Sequence, residues 1–375
     1  MMIDERWLSA RNILLIRLDN LGDVLLTTPA FHAVKSALPT ASLTLLTSAV
    51  GGQVGELDPD IERVILYTAP WVDPWQKLPH DSLREQQMIA RLKEERFDGA
   101  IIFTSFRQSP LPAAYLCYLA DIPLRAAASI DGPGSLLTTR HKHPEHLMHE
   151  VERGLDLVGA LGMYSEEKDL RLSVPAEAQQ EIEAYLKGLE IDRTRPLVLV
   201  HPGCTMPART YPWEMYAEVI HLLIEQLHAF VFVTGAEDER ELVERVRGKL
   251  PEDEQMYTAG LAGKLTFPAF CALIQQADLV VTNNTGPMHL AAAVKTPVIA
   301  LFALTNPLEQ WGPWRVPHRL LYHDVPCRLC YSRVCPYEHE CLRLVSPEQV
   351  VSAASTLLTE RTSGNIAEPA REAGR

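Results

Sequence analysis

Two series of short, almost continuously apolar runs, each separated from the next by a helix-length segment, constrain this chain more than any other feature. The first reads ILLIRL at 13–18, SLTLLT at 42–47, RVILY at 63–67 and GAIIFT at 99–104. The second reads LVLVHPG at 197–203, FVFVTG at 230–235, DLVVTN at 278–283 and PVIALF at 297–302. Strands joined by helix-length crossovers make a parallel sheet, and nearly unbroken apolar runs suit strands covered on both faces. Helices are expected at 145–161 and 176–189. The reading is an α/β chain of two Rossmann-like domains with parallel sheets facing across a cleft, over 1–175 and 176–360. The Pro- and charge-rich EIDRTRP at 190–196 reads as the boundary before the second series. A length of 375 residues is ample for two cores, and the polar stretch 361–375, with little to bury, is expected to be disordered.

Charge narrows the partners. Against 35 Lys and Arg stand 48 Asp and Glu, a net charge of -13, which repels nucleic acid and anionic lipid over most of the surface. An anionic ligand must therefore be held by local amides and a few basic groups. The N-terminal MMIDERWLSARN lacks the apolar core of an export signal, and no run approaches the roughly 20 apolar residues that span a bilayer. The expectation is a cytoplasmic protein that meets the inner face of a membrane only through its substrate.

Ligands of such sheets bind beyond the carboxyl ends of the strands, and two turns there carry chemistry. NNTGPMHLA at 283–291 takes a strand through Gly-Pro into an Ala-rich helix, leaving the first helical amides unpaired as a seat for phosphate. DNLGDVLLTTPA at 19–30 repeats that plan after the first strand but puts a carboxylate, Asp23, at the helix start. One turn wants an anion and the other supplies one. No G-x-G-x-x-G follows a strand, and neither a Walker-type phosphate loop nor H-E-x-x-H occurs.

Four stretches, DNLGDVLLTTPAFHAVKSALP, HPGCTMPARTYPWEMYAEV, VTGAEDERE and NNTGPMHLAAAVKTPVIALF, together resemble glycosyltransferase family 9, the ADP-heptose:lipopolysaccharide heptosyltransferases, over about 13–358. The resemblance implies the GT-B architecture, with acceptor in the N-terminal domain and donor in the C-terminal one. It implies inverting transfer of a heptose from ADP-heptose to a hydroxyl of a glycan or glycolipid acceptor of lipopolysaccharide core type, with no metal needed for catalysis. Another nucleotide sugar, a protein or small-molecule acceptor, or a non-catalytic nucleotide-sugar binding protein are the competing readings.

On the same resemblance Asp23 is the general base that takes the acceptor proton; the plainer reading is a helix N-terminal carboxylate. Asp19, Asn20 and Gly22 fall on the acceptor side. Thr285, Gly286 and His289 match positions that bind the diphosphate, the first two through backbone amides, and Pro287 sharpens the turn. Asn284 stands where many members carry Asp. Arg209 stands where a phosphate-binding Lys is common, and its fork keeps the charge. Thr205 and Glu239 fall near the donor phosphates and nucleotide, a capping hydroxyl and a solvated helix acid being the plain alternatives.

Cys327, Cys330, Cys335 and Cys341, spaced C-x2-C-x4-C-x5-C, could hold one structural zinc or iron, with His339 as a substitute ligand. Reduced thiols and disulfides are the alternatives. Asp58-Pro59-Asp60 reads as an acidic turn. His141, His143, His146 and His149 read as a partly solvated helix face, with metal ligation as the competing role. Trp71 and Trp75 suit loop packing or sugar stacking on the acceptor side.

Overall fold

The computed structural model describes residues 3–73, 77–192 and 194–362, with only the backbone of Thr362, so Trp75 and residues 363–375 lie outside the described residues. The chain divides into two compact units, Met1–Ser173 and Val174–Arg375.

The first unit holds strands β1 (Asn12–Arg17), β2 (Ser42–Thr47), β3 (Arg63–Leu66), β4 (Gly99–Ile102), β5 (Leu124–Ala128) and β6 (Thr139–His141). All pair in parallel, in the order β3-β2-β1-β4-β5-β6. The ILLI run is buried on both faces because β1 is central: Ile13 lies beside Leu43 of β2 and beside Gly99 of β4. Gly99 is required by a close approach, since a Cβ there would come 2.5 Å from the Trp7 ring, which is itself fully buried.

The second unit repeats the plan with β7 (Leu197–His201), β8 (Phe230–Val233), β9 (Thr258–Gly260), β10 (Leu279–Asn283), β11 (Val298–Leu301) and β12 (His318–Leu321). Their order is β12-β11-β10-β7-β8-β9, again all parallel. Counted from its own first strand, each sheet has the order 3-2-1-4-5-6 of dinucleotide-binding folds, which reverses direction between its first and fourth strands. Those reversals fall between β1 and β4 and between β7 and β10. Tyr211 and Tyr216 anchor the second core, edge to face at 5.2 Å. The C-terminal helix Pro347–Thr362 packs on the helix Trp213–Leu227.

Four strands escaped the periodicity: β5, β6, β9 and β12. β6 and β9 close one edge of each sheet, are three residues long, and carry polar groups, so no apolar run marks them. The expected helix at 145–161 begins only at Glu150, with His149 as N-cap accepting from the Val151 amide at 3.2 Å. Pro144 disfavours helical backbone at the residue before it, so the histidines at 143 and 146 precede the helix instead of lining it. Among the described residues no helix is long and apolar enough to cross a membrane.

Candidate functional site

In the first unit the chemistry gathers at the carboxyl end of β1, beside β4. Arg17 is the first charged residue after the apolar run, and it ends the strand with its side chain 3% exposed. Three carboxyls surround it. Arg17 Nε lies 3.0 Å from Asp19 Oδ2, and Nη2 lies 3.1 Å from Asp23 Oδ1 and 3.7 Å from Glu150 Oε2. Burial works against the guanidinium charge, but the three acids together more than offset it and raise its pKa.

Asp23 is held from several directions. Its Oδ1 accepts from Arg17 and, at 2.9 Å, from Ser105 Oγ, which in turn accepts from Arg17 Nη2 at 2.6 Å. Its Oδ2 accepts the Asn20 amide at 3.2 Å across the first turn of the helix Leu21–Ala37. That last bond is the capping role anticipated for an acid at this position. The contacts with Arg17 and Ser105 go beyond it, because a cap needs neither. Asp19 is more deeply buried and accepts from Gln108 Nε2 at 2.5 Å. Burial pushes its carboxyl up to about 6, partly opposed by Arg17 and reinforced by Asp23. Glu150, one of the most buried acids, is steadied by Arg153 at 3.2 Å. Two guanidinium groups thus face three carboxyls, which leaves the cluster short of positive charge.

In the second unit the corresponding place is the ends of β7 and β10. Asn283, fully buried, closes β10 and stitches three turns together. Its Oδ1 accepts the Tyr211 amide at 3.0 Å, and its Nδ2 donates to Pro202 O at 2.9 Å and to Gly203 O at 3.3 Å. Thr285 then caps the helix Gly286–Ala293 in extended backbone, with Pro287 in the first turn. The Thr285 amide is spent inside the turn, on Asn283 O at 2.8 Å. The expectation of two outward amides is therefore corrected: of that pair, Gly286, at the first helical position, keeps its amide directed out of the helix end. Thr285 and Gly286 are partly exposed there, and His289 is buried one turn on.

Asn284 turns inward. Its Oδ1 accepts the Ala303 amide at 3.2 Å, and its Nδ2 lies 3.4 Å from Asn306 Oδ1. The side chain ties the turn to the loop after β11. Arg209 donates from Nε to Thr305 Oγ1 at 2.9 Å, which fixes its fork beside the same loop. Cys204, which sequence reasoning passed over, lies in hydrogen-bond contact with the Thr285 side chain, and burial raises its thiol pKa. Thr205 is exposed on the turn. Glu239 accepts the Ala236 amide at 2.8 Å and lies 3.7 Å from His201 Nε2. Burial raises the Glu239 carboxyl and lowers the His201 imidazole to about 4. Glu239 crosses directly over Gly203, where a Cβ would come 1.9 Å from its Oε1, so a larger residue there would displace the Glu239 carboxylate.

The cysteine-bearing loop frames the Arg209 turn. Ala208 N donates to Arg333 O at 2.9 Å, His339 Nε2 meets Pro207 O at 2.9 Å, and Tyr331 N donates to Thr305 O at 3.0 Å. The amides of His339 and Tyr337 point at Cys335 Sγ at 3.2 and 3.4 Å. The four thiols are free, and their sulfurs do not converge on one point.

Comparison with known proteins agrees with this architecture. Residues 86–340 match glycosyltransferase family 9 (heptosyltransferase). Lipooligosaccharide heptosyltransferase 2 of Haemophilus influenzae is 26% identical over 363 residues, covering 93% of this chain and 100% of the relative. The crystal structure of the glycosyl transferase family 9 from Veillonella parvula DSM 2008 superposes with a TM-score of 0.76 at 21% identity, covering 93% of this chain and 98% of that one. The structure of E. coli ADP-heptose lps heptosyltransferase II does so with a TM-score of 0.74 at 20% identity, covering 94% and 99%. The fold is GT-B, and the chain belongs to glycosyltransferase family 9, the heptosyltransferases.

Proposed function

We propose that the protein is an inverting glycosyltransferase that moves a heptose from ADP-heptose to a hydroxyl of a lipopolysaccharide-core type acceptor, with Asp23 as general base. The acceptor half of the reaction is read onto the unit Met1–Ser173 and the donor half onto Val174–Arg375. ADP-heptose is the sugar nucleotide for which the E. coli protein of like fold is named.

In one displacement the acceptor oxygen attacks the anomeric carbon, its proton passes to an Asp23 carboxylate oxygen, and the bond from that carbon to the diphosphate breaks. The electron pair leaves on the diphosphate. Its growing charge is met by the Gly286 amide, the Thr285 hydroxyl, Arg209 and His289, a set of donors fixed before the reaction starts. Charge stabilisation of this kind assigns no step to a metal ion. A metal at Cys327, Cys330, Cys335 and Cys341 would instead be structural, bracing the turn that carries Arg209. The amides aimed at Cys335 are the kind of support a thiolate ligand uses.

The observation that carries the reading is the double hold on Asp23 by Arg17 and Ser105, at the point where the strand order reverses. A cap alone needs neither contact with Asp23. Asp23→Asn and Asp23→Ala test it. Donor binding by calorimetry should stay near wild type while turnover falls about 10² to 10⁴-fold, the usual worth of a positioned base. Normal turnover in both variants sinks the assignment. Titration with ADP, UDP and GDP sugars separates the heptose donor from other nucleotide sugars. A wild-type protein that binds donor and never transfers or hydrolyses it would point to a binding protein.

A further inference from the structure

The edge strand β6 ends at His141, and the chain runs on in non-helical backbone to His143. Positions i and i+2 of an extended segment face the same side, so the spacing H-x-H turns both imidazoles one way. Opposite them stands Asp156, on the second turn of the helix Glu150–Gly159. His141 Nε2 lies 2.6 Å and His143 Nδ1 2.7 Å from the same oxygen, Asp156 Oδ2. The rings meet edge to face at 5.2 Å. Among the described residues this is the group of His, Cys, Asp and Glu side chains whose ligand atoms lie close enough together to share an ion.

We propose that His141, His143 and Asp156 form a binding site for a divalent transition-metal ion of the zinc class, with three protein ligands and a fourth position open to water. Two neutral imidazoles and one carboxylate are a borderline donor set that zinc favours. Ligand atoms around tetrahedral zinc sit about 3.3 Å apart, from bond lengths of about 2.0 Å. Here the two nitrogens sit 2.6 and 2.7 Å from the carboxylate oxygen, and all three ligand atoms lie within 4.8 Å of one another, so each nitrogen–oxygen contact has to open by only about 0.6 Å to reach that spacing. Each group is partly exposed, with side chains 19%, 14% and 25% accessible, which gives an ion a path in and a place for water. Neither neighbouring histidine completes the set. His149 Nδ1 accepts the Val151 amide, and His146 is exposed. Arg153 on the same helix adds positive charge nearby, and its Nε is turned to Glu150 at 3.2 Å.

The plain competitor is a hydrogen-bonded trio in which one carboxylate oxygen accepts two imidazole protons. The two differ in consequence. An ion would clip the edge strand to the helix that carries Glu150, and so to the helix that presses on the Arg17 cluster. The clip is independent of the transfer chemistry, and its test does not depend on turnover.

Full-length protein stripped with a chelator should be titrated with Co²⁺ and Zn²⁺ by calorimetry and visible absorption. About one equivalent of Co²⁺ should appear with the visible d–d bands of a four-coordinate ion and without thiolate-to-metal charge transfer, because the set holds no sulfur. A Cys327→Ser/Cys330→Ser variant should keep that equivalent. Asp156→Asn preserves shape and His143→Gln preserves bulk, and each should weaken binding tenfold or more and abolish the rise in Tm that Zn²⁺ gives the wild type. The proposal is overturned if all bound metal disappears with the two cysteines. It is equally overturned if Asp156→Asn and His143→Gln, with native circular dichroism, bind the same equivalent as wild type, or if wild type binds none.

Discussion

The two sheets share one strand order but solve the end of their central strands in opposite ways. Beyond β1 the chain places side chains: one buried arginine inside a ring of Asp19, Asp23 and Glu150. Beyond β7 and β10 it places backbone, held by the amides of Asn283 and Asn284, and opens a helix end. The first arrangement concentrates negative charge, and the second, on the proposed function, receives that of the leaving diphosphate. A doubly wound sheet therefore fixes where chemistry sits and leaves its sign to about four residues after each strand.

The comparison breaks most severely at Arg17. Arg17→Met should destabilise the protein by about 3 to 5 kcal/mol near neutral pH, since it leaves buried Asp19 and half-buried Asp23 without their cation and Glu150 with Arg153 alone. Urea unfolding measures this, and the loss should shrink as pH falls and the acids take up protons. Adding Asp19→Asn to Arg17→Met should recover part of it, because the two changes act on one network. An additive double mutant would mean that Arg17 and Asp19 do not act on one another.

Asp58 sharpens the contrast within the first unit, because it is a buried acid without an arginine in contact. Its Oδ1 accepts the Asp60 amide at 2.9 Å, and Oδ2 has no hydrogen-bond partner among the described residues. Burial pushes its carboxyl up to about 7. The folded chain thus holds a proton that the unfolded chain releases near its ordinary value of 3.8, so stability falls as pH rises from about 4 to about 7 and levels off above. Asp58→Asn removes that slope. Its advantage over wild type in thermal or urea unfolding should grow through the same window, to at most about 4 kcal/mol by the size of the shift. A constant difference across the window would mean that the acid stays ionised in the fold.

Much of this was legible in the chain. Long apolar runs announced the central strands, and Asp23 and the Asn-Thr-Gly-Pro turn stood out because each follows such a run. Arg17 was visible as the one charge inside ILLIRL, yet nothing local says that Glu150, far along the chain, will meet it. Ser105 and Gln108 lie after β4, and only the strand order carries them to β1. The fate of the Thr285 amide depends on a tight local bond that a motif does not reveal. The crowding of His141 and His143 is plain in the sequence, but a helical spacing of His143, His146 and His149 does not bring Asp156 to them; the strand end and non-helical backbone do.

On the other side of the comparison, Asn283→Ala should cost about 2 to 3 kcal/mol, because it orphans the Tyr211 amide and two carbonyls in a buried turn. Asn283→Asp keeps the acceptor for Tyr211 but turns a carboxylate toward Pro202 O and Gly203 O, and should be at least as damaging. If unfolding of either variant matches wild type, the stitch is not what holds the turn.

Arg209 asks how far the second unit relies on backbone alone. If the leaving diphosphate is gripped by the Gly286 amide and the Thr285 hydroxyl together with a cation, Arg209→Met should weaken binding of ADP and its sugar about tenfold, the worth of a charged hydrogen bond. Thr305→Ala, which removes the hydroxyl that Arg209 Nε reaches at 2.9 Å, should weaken it by a smaller factor, about two- to threefold. Arg209→Met should move the urea midpoint little, since Arg209 is only partly buried on its turn, whereas Thr305→Ala, which removes a buried hydroxyl that also reaches Asn306 Oδ1 at 3.3 Å, should lower it modestly. Calorimetry with ADP reads the outcome directly. Wild-type affinity in Arg209→Met would leave a seat made of peptide groups and a hydroxyl, the sharpest opposite to the side-chain cluster around Arg17. A loss in Arg209→Met that Thr305→Ala reproduces in part would show that both units end in an oriented guanidinium, one aimed at the protein's own acids and the other at the ligand's.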